Sequence, residues 1–384
     1  MPRFRLLLAL ALLVTMLAGP GWRAVLAQPA APATSAPAPA AGPAAAPAAA
    51  EAAPPAPAAP AVSSAVVRGP VGVIRNAGGT IGVLTGPEGV LLVDAGYGRE
   101  AEAIRAAIAA LASSAAAVPP SPPAPPKPAT PAATATAAPA PAAKAPAAPA
   151  APAAPAAPAA PAAPAAPAAP APRLLLNTHF HADHTDGNAG FAASGAVLVA
   201  HENTRRRLAE GSMLEAFQLV TPPAAAAALP PITFERDLRL RFNGETIDLL
   251  HLPAAHTDGD VIVRFREADV IHAGDVWFNG MYPFIDYRHG ATLAGAIAGV
   301  DRLLLLAGPD TRIIAGHGPV GSRAELVSYR RMLATVQQRL VALKAQGLTL
   351  PQVVEARPLA DLEATWGQGL FKGDRWLELI WNGV

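Results

Sequence analysis

Between about residues 113 and 172 the chain is almost wholly alanine and proline and ends in repeated "PAA"; residues 28 to 60 read the same way. Proline breaks helices and central strands, and alanine buries little surface, so neither tract can supply a core. With 44 prolines and abundant alanine, the 52% hydrophobic content overstates what can pack. Core material begins near Val66, and the remainder amounts to one ordinary domain. The three-residue period matches polyproline II, but without glycine at every third position the tract is not collagen-like.

The second tract is either a linker between domains or an insertion within one. The apolar "RLLLN" that follows has no hairpin partner of its own and runs straight into a polar cluster, which favours insertion. Closing a loop of ~60 rather than ~10 residues adds only about 1.6 kcal/mol. The N-terminus carries Arg3 and Arg5, then "LLLALALLVTMLAG", then "AVLA", the pattern of a secretory signal peptide cut after Ala27. An uncleaved anchor is the alternative, but the apolar run falls short of the ~20 residues that span a bilayer. The expected organisation is therefore a signal peptide at 1–27 and an Ala/Pro tether at 28–62. One domain then fills 63–384, interrupted at about 113–172, with C-terminal helices over 323–384. A periplasmic or secreted location is expected.

Formal net charge is +1, with no basic run beyond "TRRRL", so nucleic acid is not an expected partner; oligomeric state cannot be read. The chain has no cysteine, which excludes disulfides and thiolate ligands and leaves His, Asp and Glu for any metal.

Two β-branched runs around "GPEG" predict a hairpin over Thr80 to Asp94, and Ile104, Ile108 and Leu111 share a face of a helix over Glu100 to Leu111. After the tract, "GAVLVAHENTRRRLAE" reads as strand then helix. "ITFERDLRLRFNGETIDLLHLP", "VIVRFREADVIHAGD" and "RIIAGHGP" read as strands. Between the last two lies a helix, "TLAGAIAGVDRLLLLAG", with Leu293, Ile297, Val300 and Leu304 on one stripe, and the chain is mainly helical from Arg323. Strand-rich halves flanked by helices predict sheets packed face to face.

The chemistry concentrates in "NTHFHADHTDGN". His179 and His181 lie one residue apart, so at an extended strand end both face one ion. Asp183 and His184 sit in the turn beyond, facing a second. His256 in "AAHTDGD", Asp275 in "HAGD" and His317 in "AGHGP" each stand at a strand-to-loop boundary, where sites on layered folds are built.

These motifs, "HFHADH", "AHTDGD", "AGD" and "GHG" with the earlier "LLVDAG", resemble the metallo-β-lactamase superfamily from about Val66 to Pro319. The resemblance implies an α/β fold, an αβ/βα four-layer sandwich interrupted by the disordered Ala/Pro insertion. It implies two zinc ions per chain, with iron or manganese as alternatives. His179, His181 and His256 would bind the first, Asp183, His184 and His317 the second, and Asp275 both, in a glyoxalase-II-like set. Asp94 would support a ligand without binding metal, or simply cap a turn. A hydroxide between the ions would attack a carbonyl carbon, with Asp183 orienting it and shuttling a proton.

The expected activity is hydrolysis of a small ester, thioester, lactone or amide. Alternatives are β-lactam cleavage, a mononuclear iron dioxygenase resembling persulfide dioxygenases, and a non-catalytic wall-associated protein. The aromatic loop "VWFNGMYPFIDYRHG" either lines a substrate pocket, through Trp277 with Tyr282 donating to an oxyanion, or packs against the neighbouring helix. His201, His251, His272 and His289 have no ligand role in the resemblance; packing, support or surface positions are expected for them.

Overall fold

The computed structural model describes residues 61–116 and 171–384. The expected signal peptide, the tether through residue 60 and residues 117–170 of the insertion lie outside them. Along the chain come β1 (Ser63–Arg68), β2 (Val71–Arg75), β3 (Ile81–Gly86), β4 (Gly89–Val93), α1 (Ala101–Ala116) and β5 (Pro172–Leu176). Then follow α2 (Ala182–Thr185), α3 (Asn188–Ala193), β6 (Val197–His201), α4 (Glu202–Glu210), β7 (Ser212–Leu214), β8 (Leu219–Thr221) and β9 (Ile232–Phe234). The second half holds β10 (Asp237–Phe242), β11 (Glu245–Leu252), β12 (Asp260–Phe265), β13 (Val270–His272), α5 (Leu293–Leu306), β14 (Arg312–Ile314) and β15 (Gly321–Ser322). Helices α6 (Arg323–Ala345), α7 (Leu350–Ala356), α8 (Glu363–Trp366) and α9 (Gly373–Ile380) complete it.

One sheet has the order β1-β2-β3-β4-β5-β6-β9, antiparallel up to β4 and parallel after it; the other runs β10 to β15 in sequence order. The period-two alternation of the strands sorts their apolar residues into separate interfaces. Val90 and Leu92 of β4 face outward onto Ile104 and Ile108 of α1, whereas Leu91 and Val93 face inward. Opposite them stand Ile247, Leu249, Val261, Val263 and Val270 of the second sheet, with Phe242 and Phe265. That sheet's other face, Leu252, Ile262, Ile271 and Ile313, packs under α5, α6 and α9. Three buried interfaces between four layers are the αβ/βα sandwich.

The expected hairpin is β3 and β4, joined through Gly86 opposite Gly89. Strand β4 pairs directly with β5 in parallel, with α1 between them in the chain and packed on their outer face. The Ala/Pro segment is therefore an insertion into one βαβ crossover. Its expected start at 113 is corrected: α1 runs through Ala116, because the alanines and serines up to there are compatible with a helix. On α5 the buried stripe uses Leu303 where Leu304 was expected; Leu304 is half-buried and Leu305 exposed.

Candidate metal centre

The C-terminal ends of β5, β11, β13 and β14 deliver the candidate ligands. His179 and His181 follow β5, Asp183 and His184 ride on the single turn of α2, and His256, Asp275 and His317 follow the other three. His179, His181, His256 and Asp275 form one group; Asp183, His184 and His317 form another, each with its donor atoms within 4.8 Å of one another. Asp275 touches both: Oδ1 lies 3.1 Å from His184 Nε2, and Oδ2 lies 3.3 Å from His317 Nε2 and 3.4 Å from His256 Nε2.

Hydrogen bonds fix which ring atom each histidine presents. His256 Nδ1 donates to the Phe284 carbonyl (2.8 Å), so its Nε2 is a bare lone pair; burial, outweighing the opposing charge of Asp275, brings the imidazole down to about 4. His181 Nε2 donates to Asp286 Oδ2 (2.9 Å), so its Nδ1 is bare too. These two lone pairs point at each other across 2.9 Å. Two acceptors at that separation repel unless a cation lies between them. His184 Nε2 and Asp275 Oδ1 are likewise buried and without hydrogen-bond partners despite their closeness. The residues fit a bound divalent metal, and the imidazole and carboxylate donors suit zinc.

The supporting contacts are specific. Asp94 is fully buried at φ 70°, a strained left-handed conformation for a residue other than glycine. Its Oδ1 accepts from the Thr178 backbone N–H (2.7 Å); its Oδ2 accepts from the Thr178 hydroxyl (2.7 Å) and from His184 Nδ1 (2.8 Å). Of the two readings of Asp94, support for a ligand is the one its contacts fit. Gly79 and Gly316 form a cradle: a Cβ on Gly79 would sit 2.1 Å from the His184 ring, and one on Gly316 would sit 2.0 Å from Asp275 Oδ1. The same loop stitches the site together, Gly79 N–H donating to the Asp183 carbonyl and Thr80 N–H to that of Gly316. Asp94→Ala should weaken metal binding about 10–100-fold, the usual range for such outer contacts. Competition with a chromophoric chelator measures it, and wild-type affinity would refute the role.

Two supports were missed from the sequence. Asp286 takes hydrogen bonds from His181 and from His289 Nδ1 (2.6 Å), which hold its carboxylate well below the usual range although burial opposes them. Asp260 accepts from the His256 and Thr257 backbone N–H groups and from the Thr257 hydroxyl (2.6 Å), setting the His256 loop. The only sequence signal was position: both aspartates stand within loops that carried a motif. The remaining histidines lie apart from the ligand groups. His272 Nε2 ties the sheets through the Thr80 carbonyl (3.1 Å), and His201 stacks on His251 at 3.7 Å.

The pocket roles for Trp277 and Tyr282 are corrected. Both are fully buried in the cluster beneath the C-terminal helices, and Tyr282 stacks on Trp376 at 4.4 Å, out of reach of a substrate. Their neighbours in the loop serve the site instead. Phe278 stacks on His317 (5.0 Å), and Phe284 lies 5.8 Å from both His181 and His256.

The family model of the metallo-beta-lactamase superfamily matches residues 155–317. A probable metallo-hydrolase of Bacillus subtilis (strain 168), YqgX, is 27% identical over 154 residues, 38% of this chain and 69% of the relative. Among solved structures, a metallo-beta-lactamase from Pontibacter korlensis has 15% identity and a TM-score of 0.47, over 71% of this chain and 99% of that one. One from Cronobacter sakazakii with a HARLDQ motif has 18% identity and a TM-score of 0.48, over 75% and 97%. The family match, together with the ordered motifs it contains, makes the chain similar over residues 155–317 to the metallo-β-lactamase superfamily.

Proposed function

We propose that the protein is an exported binuclear zinc hydrolase that opens the carbonyl of a small ester, thioester, lactone or amide. The observation that carries this reading is Asp275, whose Oδ1 lies against His184 and whose Oδ2 lies against both His317 of that group and His256 of the other, so that one carboxylate adjoins both donor groups and invites two ions. Zinc bound there supplies Lewis acidity toward a carbonyl oxygen and lowers the pKa of water. Asp183, partly exposed where the other carboxylate is buried, is the side chain placed to meet an incoming water or substrate. Burial would raise it, but His184 and His317 outweigh burial and bring it down to about 2. Its part is to accept a hydrogen bond from the attacking water and orient it. Export rests on the charged and apolar N-terminal pattern; among the described residues no helix is long and apolar enough to cross a membrane.

Metal analysis of protein purified without added metal, followed by a panel of lactams, lactones, thioesters and phosphodiesters on the zinc-loaded form, tests the reading. Two metals per chain with carbonyl-ester turnover supports it. One iron per chain with oxygen uptake, or no turnover of any member, rejects it.

A further inference from the structure

The carboxylates that steady the two donor groups are themselves held differently. Asp94 has two donors besides His184, the backbone N–H and the hydroxyl of Thr178, each at 2.7 Å. Asp286 takes His181 Nε2 on Oδ2 (2.9 Å), and among the described residues its carboxylate receives every other hydrogen bond from His289. The ring Nδ1 donates to the same Oδ2 (2.6 Å), and the backbone N–H reaches Oδ1 (3.3 Å). Both side chains are buried, so a hydrogen bond lost here is not simply replaced from solvent.

The local sequence "DYRH" makes this contact. Asp286 is the N-cap of a single 3-10 turn, Tyr287–His289, in which residues three apart stand over one another, so the His289 ring folds back onto the Asp286 carboxylate. The turn is anchored on the first donor group. Asp286 N–H donates to the His256 carbonyl (3.1 Å), the His289 carbonyl accepts from Asp258 N–H (2.8 Å), and the Phe284 carbonyl holds His256 Nδ1 (2.8 Å). Phe180, between His179 and His181 in the chain, meets the His289 ring edge-on at 5.0 Å. The segment from Phe284 to His289 thus holds the outward ring nitrogens of both His181 and His256, whereas His184 of the other group hangs on Asp94.

We propose that His289 is a positioning residue for the first donor group: its ring N–H locks the Asp286 carboxylate in the orientation that presents Oδ2 to His181, and so aims His181 Nδ1 at the metal. The inference rests on the metal-binding part of the reading above and not on which bond is hydrolysed. Without the ring donor, Oδ2 keeps His181 alone, the Asp286 carboxylate is free to turn about its own side-chain bond, and the His181 ring loses the partner that fixes its tautomer.

Two variants separate hydrogen bonding from packing. An asparagine amide nitrogen sits about where the histidine Nδ1 does, so His289→Asn keeps the donor and loses the ring, whereas His289→Phe keeps a ring against Phe180 and loses the donor. On the full chain, His289→Phe should weaken zinc at the first group about tenfold in competition with a chromophoric chelator, and His289→Asn should hold zinc nearly as the wild type does. Cadmium-113 spectra of the loaded protein locate the change: His289→Phe should move one resonance and Asp94→Ala the other. Wild-type affinity in His289→Phe, equal weakening in both His289 variants, or movement of the same resonance by His289→Phe and Asp94→Ala overturns the role. Because the readout is metal affinity, a protein that binds zinc but turns over no member of the substrate panel fails the hydrolase reading alone, and His289 is still judged by the two variants. A wild type that binds no zinc overturns both.

Discussion

Asp275→Ala should lose both metals together and lower activity about 10³-fold or more, beyond the 10–100-fold that supporting residues command. The reason is geometric. Among the described residues Asp275 is the one whose carboxylate lies against both donor groups, at 3.1 and 3.3 Å from His184 and His317 of one and 3.4 Å from His256 of the other. His317→Ala, by contrast, removes one ligand from one group and should leave one metal per chain. The metal-free protein should also suffer. Burial would raise the Asp275 carboxyl, but His317 and His184 outweigh burial and hold it well below the usual range, so it acts as their counterion. Removing one partner of such a buried cluster costs about 3–5 kcal/mol. Elemental analysis and denaturant unfolding with metal removed check the two effects separately. Retention of two metals per chain by Asp275→Ala would refute the shared-ligand arrangement.

The metal site was legible in the sequence because its residues follow strand ends in short motifs, where spacing alone puts His179 and His181 side by side. Layer architecture was legible for a similar reason: alternation in β4 and β12 assigns each apolar residue to a face. What could not be read depends on tertiary direction. Trp277 and Phe278 are adjacent and buried in the same cluster, yet only Phe278 also stacks on His317. Asp286 looks like any loop aspartate until folding brings it to His181, 105 residues away. The β7–β8 hairpin escaped because its turn uses Gln218 at φ 51° where glycine or asparagine would have marked it, and its strands are three residues long.

The two donor groups should also load metal differently with pH. Burial, the largest influence, lowers His179 well below its ordinary value of 6.5 and takes His256 to about 4. Above pH ~5 these rings have no proton to surrender. The second group is opposite in sense. Burial would lower His184 too, but Asp275, Asp183 and Asp94 overcome it and raise the ring well above 6.5; in the same way Asp275 and Asp183 push His317 up to about 10. A cation entering there must displace protons, so its apparent affinity should climb by up to ~10-fold per pH unit for each proton released. The expected result is one tightly held zinc per chain near pH 6 and two near pH 9, with proton release in calorimetry accompanying the second only. The same shifts fix the sign for the metal-free protein. His317, raised above its ordinary value, contributes stability that is fully present below pH 6.5 and is lost as pH rises through about 10. Asp183, lowered from 3.8, contributes stability that is present above that value and is lost as pH falls through about 2. Metal-free protein should therefore soften between pH 6.5 and 10, the range in which the loaded protein gains its second ion and becomes harder to unfold. Two sites filling with equal affinity and no pH dependence would show that the carboxylates do not hold His184 and His317 protonated, and would remove the electrostatic distinction between the groups.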